Sequence, residues 1–294
     1  MNQKILLVGV ISNVSKTLER ELKIVLKSLS SFETIQVFLV ESDSNDETVR
    51  VLKKIQSSNQ NFTYISKGQL SAKLPNRVER IAFCRDIYVD FIRSNYKKHL
   101  WSHVVVADLD GMNFKITKSG INSCFKSNTK WDGLMANQPL GYYDIYALRA
   151  KNWVEYDCFL ELSKVKKEKI PPEVSKYRLI NFLILFNYYD KLRKKIIFDK
   201  MLRLKRNRGL IKVDSAFGGF AIYKTDIFFN SDYRLADSFS SEHVSFHTSK
   251  ANSQKSFYIN TELVNNRLNE YNLNKFVLVR FLRELKKFLV LRQK

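Results

Sequence analysis

The first half of the chain alternates short, unbroken apolar runs with stretches of helical spacing. KILLVGVIS from Lys4, IQVFLVES from Ile35 and HVVVADLD from His103 are apolar on both faces and end in polar residues. Such runs are the pattern of strands buried in a parallel sheet. Between them, Leu18, Leu22, Val25, Leu26 and Leu29 mark a helix from about Ser15 to Leu29. A second helix opens near Asp46, with Asp46 and Thr48 at its cap, and runs to Ile55; a third spans Arg77 to Ser94. NFTYIS from Asn61 and WDGLMAN from Trp131 read as further strands. This rhythm predicts an α/β, Rossmann-like architecture, a mixed and mainly parallel sheet flanked by helices. The second half is less regular: Pro171-Pro172 ends one helical stretch, and VDSAFGGFAIY from Val213 returns to strand character.

Ligands of such sheets bind beyond the carboxyl ends of the strands. Three strands here end in polar clusters: Ser12-Asn13, Glu41-Ser42-Asp43 and Asp108-Leu109-Asp110. In extended backbone, residues i and i+2 point the same way, so Asp108 and Asp110 converge on one site. Two clustered carboxylates suit a hard divalent cation, Mn²⁺ or Mg²⁺, placed between them and a phosphate. A bare Asp-x-Asp on an exposed turn carries no such meaning; the apolar run VVVA before it is what gives this one weight.

Charge changes the picture. The chain carries 50 Lys and Arg against 29 Asp and Glu, a net of +21. Residues 176–208 hold 11 cations against Asp190 and Asp199, a net of +9, and residues 271–294 a net of +6. Both segments are also rich in Leu, Ile and Phe. In the second, Leu278, Phe281, Leu282, Leu285, Phe288 and Leu289 share one helical face, with Arg280, Arg283 and Lys287 opposite. A basic amphipathic helix of this kind suits an anionic membrane surface or a berth on the protein's own core. A nucleic-acid groove would not need so continuous an apolar stripe, and no nucleic-acid partner is expected. The run after Met1 is too short for a signal peptide, and no segment supplies the roughly 20 apolar residues of a spanning helix. Cys84, Cys124 and Cys158 form no CxxC, which argues against a disulfide framework or zinc site. The expected location is the cytoplasm, in peripheral contact with the inner face of an anionic membrane.

LVESDSNDET, RVERIAFCRD, VVVADLD, GYYDIYALR, SAFGGFAIYK and SEHVSFH, in that order, resemble the motifs of GT-A fold glycosyltransferases of the capsule and lipopolysaccharide type, including capsule mannosyltransferase relatives. The resemblance implies a catalytic unit over 1–270, with a nucleotide-sugar part (1–136) and an acceptor-side part (137–270) that includes a basic helical insert (160–208). A C-terminal amphipathic helix (271–294) follows. It implies nucleotide-sugar contacts from Ser12, Glu41, Arg85, Asp108, Leu109, Gly218 and Gly219, and metal ligands in Asp108, Asp110 and His247. Glu242 and Asp144 would be catalytic, and Tyr146 and Arg149 would meet the acceptor. The chain departs from the family pattern where Glu41 is followed by Ser42 rather than a second Asp, and where Glu242 is followed by His243, so that an Asp base at that place is absent.

Each residue also has a structural reading. Glu41 and Asp43 could cap the following helix, Arg85 could pair with a neighbour, and an aromatic patch such as Tyr142, Tyr143 and Tyr146 could belong to the core. The activity expected is transfer of a sugar from a UDP or GDP sugar to a hydroxyl of a glycan or lipid-linked glycan. The alternatives are a metal-dependent nucleotidyltransferase using the same aspartates, or a basic membrane- or nucleic-acid-binding module without catalysis.

Overall fold

The structure, a computed structural model, describes residues 3–168, 177–234, 241–267 and 273–290. At its centre, β1 (Lys4–Ile11) runs parallel to both β2 (Thr34–Glu41) and β4 (His103–Ala107), and β3 (Phe62–Ser66) extends the parallel set beyond β2. Because successive side chains of a strand face opposite ways, β1 feeds two cores. Leu6 and Val8 pack with α3 (Arg77–His99), whereas Ile5 and Leu7 pack with α1 (Leu18–Ser28) and with Leu52 of α2 (Thr48–Ser58). Burial on both faces is why these strands read as unbroken apolar runs.

The remaining strands complete one eight-stranded sheet in the order β3-β2-β1-β4-β7-β5-β8-β6. The strand β7 (Phe220–Lys224) runs antiparallel between β4 and β5 (Gly133–Asn137). Beyond β5 lie β8 (Phe257–Val264), parallel to it, and β6 (Leu210–Val213), antiparallel to β8. The expected mixed, mainly parallel sheet flanked by helices is therefore present. Two details differ from expectation. VDSAFGGFAIY is not one strand, because Gly218 and Gly219, at φ 72° and 81°, turn the chain between β6 and β7. FYINTELV was not anticipated as a strand; its buried Asn260 and Thr261 find partners in Ser123 and Gly209 that only the fold brings near.

Helix α2 is capped as its sequence suggests. Thr48 donates its N–H to Asp46 Oδ1 at 3.0 Å, so Glu41 and Asp43 are free of that duty. Helices α4 (Lys118–Ser123) and α7 (Glu242–Thr248) are short, and α5 (Cys158–Glu168) precedes α6 (Arg178–Ile196). Pro171-Pro172 lies outside the described residues. The last helix, α8 (Val277–Val290), packs against α6 through Phe182, Phe186, Phe281 and Phe288. The single apolar face expected of it is thus divided: two phenylalanines meet α6, while Leu278, Leu282 and Leu289 stay exposed.

Candidate active site

A cleft of about 390 Å³ opens where the carboxyl ends of β1, β2 and β4 converge. Val10 lies near the end of β1 and Ser12 and Val14 follow it, Ser42 and Asp43 follow β2, and Asp108, Asp110 and Met112 follow β4. Its other walls come from Arg77, Arg80 and Arg85 of α3, from Tyr143, Asp144 and Tyr146, and from Glu242 and His243 of α7. The loops after β1 and β2 interlock. Asn13 donates its N–H to Ser44 Oγ at 3.0 Å and accepts from the N–H of Asn45 at 2.8 Å. Asp43 accepts from the N–H of Ser71 at 2.8 Å and lies 3.4 Å from Arg80 Nε.

The centre of the site is Arg85, which is buried. Its Nε donates to Glu242 Oε1 at 3.1 Å, its Nη2 to Asp108 Oδ1 at 3.2 Å and its Nη1 to the Tyr88 hydroxyl at 3.2 Å. The rings of Phe217 and Tyr233 flank the guanidinium at 5.1 and 5.5 Å. One cation thus sets two carboxylates, 134 residues apart in sequence, on one wall of the cleft. Asp144 adds a third. It accepts the N–H of Gly218 at 2.9 Å, and desolvation, with Glu242 and Asp108 nearby, pushes its carboxyl up to about 6.

Asp110 is exposed at the mouth, and the loop behind it is fixed by a residue that the sequence reading passed over. Glu21 of α1 is fully buried and accepts the N–H groups of Gly111 and Asn113, each at 2.6 Å. Its position was legible: three residues after Leu18 and four before Val25, it shares their buried face. Burial pushes its carboxyl up from 4.5 to about 7, against the two amides. The folded protein then holds a proton that the unfolded chain has released, so this group lowers stability as pH rises from about 4.5 to 7. Glu21→Gln is expected to flatten the fall of Tm across that range, read by calorimetry in EDTA. An unchanged slope would assign the pH dependence elsewhere.

Several expected residues sit elsewhere than expected. Ser12, Arg85, Asp108, Asp110, Asp144, Tyr146 and Glu242 all line the cleft. Glu41 does not: it is buried, and its carboxylate accepts from Ser44 N–H and Ser66 Oγ, leaving Asp43 as the acid facing the cleft. The Leu109 side chain packs in the core with Leu18 and Ile121, because the alternation that turns Asp108 and Asp110 outward turns it in. Arg149 is held by Asp157 at 3.1 Å and by the carbonyls of Tyr146 and Leu148, so it buttresses the wall from behind. Gly218 and Gly219 serve the wall's backbone. Gly219 accepts from Asp108 N–H at 3.0 Å, and a Cβ on Gly218 would lie 2.9 Å from Gln138 Nε2.

The clearest correction concerns the histidines. His247 is buried, and its ring nitrogens lie 3.0 Å from Ser215 Oγ and 3.0 Å from the Tyr223 hydroxyl, which leaves no lone pair directed at a metal. One helical turn earlier, His243 lines the cleft instead. It is 2% exposed, stacks on Phe217 at 3.9 Å, and neither ring nitrogen has a hydrogen-bond partner among the described residues. Desolvation and the nearby Arg85 hold it well below the ordinary histidine range, hence neutral. Its ring therefore stands as a neutral, stacked group between Phe217 and the Arg85–Glu242 pair.

Among the described residues, no three His, Cys, Asp or Glu side chains gather closely enough to hold a metal by themselves. A cation held by Asp108 and Asp110 would have to keep waters and take its other oxygens from a ligand, the habit of Mg²⁺ in phosphate sites. They would not suffice for a closed, all-protein metal site.

No protein-family model matches the chain, and no curated protein does. Solved structures that are similar include a mannosyltransferase of Pyrobaculum calidifontis in complex with GDP-Man and Mn²⁺, at 9% identity and a TM-score of 0.48 over 90% of this chain and 56% of that one. Another is S. aureus TarS 1–349 in complex with UDP-GlcNAc, at 15% identity and a TM-score of 0.44, over 93% of this chain and 61% of that one. A third is glucosyl-3-phosphoglycerate synthase from Mycobacterium tuberculosis with Mn²⁺, UDP and phosphoglyceric acid, at 10% identity and a TM-score of 0.42, over 91% and 72%. The chain thus spans less than two thirds of the first two.

Proposed function

We propose that this chain is a glycosyltransferase that moves a sugar from a UDP or GDP sugar to a hydroxyl of a glycan, of capsule, lipopolysaccharide or lipid-linked type. The observation that carries the reading is the Asp108–Arg85–Glu242 array on one wall of the cleft, with Asp110 at the mouth and Asp144 beside it. A nucleoside diphosphate laid across the ends of β1, β2 and β4 would meet Ser12 and Asp43 on one side. Its charge would fall toward Asp108 and Asp110, which would hold Mn²⁺ or Mg²⁺. When bound, that cation neutralises the departing diphosphate. Arg85 is committed to two carboxylates, so its part is to orient them.

Glu242, close to His243, is the group for the acceptor. In an inverting reaction its carboxylate takes the hydroxyl proton; in a retaining one it faces positive charge at the anomeric carbon. Tyr146 and Phe159, edge to face at 5.5 Å, form an aromatic rim suited to the apolar face of a sugar. Glu242→Gln is therefore expected to cost about 100-fold or more in transfer, as loss of a general base does, while nucleotide affinity by calorimetry changes little. Lost nucleotide affinity with normal transfer at saturating donor would give Glu242 a different role.

A lipid-linked acceptor would place the enzyme at the inner face of an anionic membrane. The test of the activity is turnover: incubation with a panel of nucleotide sugars and Mn²⁺, following release of UDP or GDP. Release from one donor supports the reading. Pyrophosphate release from a nucleoside triphosphate would favour the nucleotidyltransferase, and no reaction with either a module without catalysis.

A further inference from the structure

The helices α6 and α8 pair antiparallel. Phe182 meets Phe288 at 4.8 Å, Phe186 meets Phe281 at 5.2 Å, and farther along α6 Asp190 meets Arg280, with Nη2 2.7 Å from Oδ2. That ion pair is buried, and Ile196, Ile197 and Met201 continue from α6 into the main core, so the pair is fixed to the body of the protein. After three of the four contact phenylalanines comes an exposed leucine, Leu183 after Phe182, Leu282 after Phe281 and Leu289 after Phe288, and after the fourth, Phe186, an exposed Asn187.

One residue is a rotation of 100° about the helix axis. Two antiparallel helices that face each other, each rotated by the same step along its own direction, turn to the same side of the pair. Leu179, Ile180 and Leu183 of α6 and Leu278, Leu282 and Leu289 of α8 therefore share one side, each between 44% and 63% exposed. The same side carries cations: Lys191 and Lys194 continue the exposed face of α6, and Lys286 borders the leucines of α8. Among the described residues no helix is long and apolar enough to cross a membrane. A broad apolar patch edged by cations on a rigid helical pair matches an anionic interface, with leucines at the acyl boundary and lysines on the headgroups.

We propose that the shared face of α6 and α8 is a docking surface for an anionic lipid bilayer, lying on the membrane rather than spanning it. This deepens the location in the functional reading and leaves its chemistry untouched. Both helices are needed, because the phenylalanines that would otherwise enter the membrane are spent on holding the pair together. Each Lys or Arg near an anionic surface raises partition about fivefold, and salt screens that part while sparing the apolar part.

The test is co-sedimentation with phosphatidylcholine vesicles with and without phosphatidylserine at three parts in ten. The full chain is expected to bind the anionic vesicles at least tenfold better than the neutral ones. Leu183→Ser with Leu282→Ser is expected to cut that binding at least tenfold with Tm unchanged. Lys191→Glu with Lys286→Glu, a second and independent variant, is expected to cut it several-fold and weaken its salt dependence. Sedimentation of both variants equal to wild type overturns the proposal. So does a solution dimer that Leu183→Ser with Leu282→Ser disperses without affecting vesicle binding, or binding to RNA in place of vesicles. No donor is present in the assay, so its failure and failure of the transferase reading are distinct.

Discussion

Asp110→Asn is expected to lower turnover of the nucleotide-sugar donor by two orders of magnitude or more, about 3 kcal/mol in the barrier. The substitution keeps the shape of the side chain and removes one of the two negative oxygen donors at the mouth of the cleft. Asp110 is exposed, and its loop is anchored independently by Glu21 through Gly111 and Asn113, so Tm should stay within a degree or two of wild type. Excess EDTA should reproduce the loss in the wild-type protein, and added Mn²⁺ should restore it there but not in the variant. An Asn variant as fast as wild type, or activity indifferent to EDTA, would remove the metal from the reading.

The second large effect concerns stability. Arg85→Met is expected to cost on the order of 3 kcal/mol, because it leaves Glu242 and Asp108 facing each other without the cation that compensates them. For a chain of this size that is a fall in Tm of several degrees. The diagnostic is non-additivity: Glu242→Gln placed on top of Arg85→Met should recover part of the loss, because it removes one of the two stranded charges. Thermal melts of the single and double variants measure this. An Arg85→Met protein as stable as wild type, or losses that simply add, would mean that Arg85 does not balance the pair.

The parts of the fold that were legible are those written in local pattern. The strands β1, β2 and β4 announce themselves because both faces are buried, and Asp108 and Asp110 stand out because acids end an apolar run. The helix carrying Arg85 and the cap at Asp46 follow from the same local rules. What was not legible depends on pairing across the chain. The antiparallel insertion of β7 beside β4 joins Val105 to Ile222, and the bond from Arg85 to Glu242 crosses 157 residues. The strand β8 hides because its buried polar side chains are satisfied only by distant partners. The histidines illustrate the limit most sharply. His243 and His247 share one face of α7 with ring centroids 5.9 Å apart, and only the position of Tyr223 and Ser215 decides which of them is spent on the core. Glu41 failed for a related reason: the serine that takes its carboxylate, Ser66, lies on the neighbouring strand.

The most direct test of the central claim is calorimetric titration of the purified protein with UDP and GDP sugars in the presence of Mn²⁺. The cleft predicts one site per chain for a single nucleotide class, with heat that disappears in EDTA and in Asp110→Asn but persists in Glu242→Gln. Binding of neither UDP nor GDP sugars, or equal binding with Asp110→Asn and without metal, would contradict it.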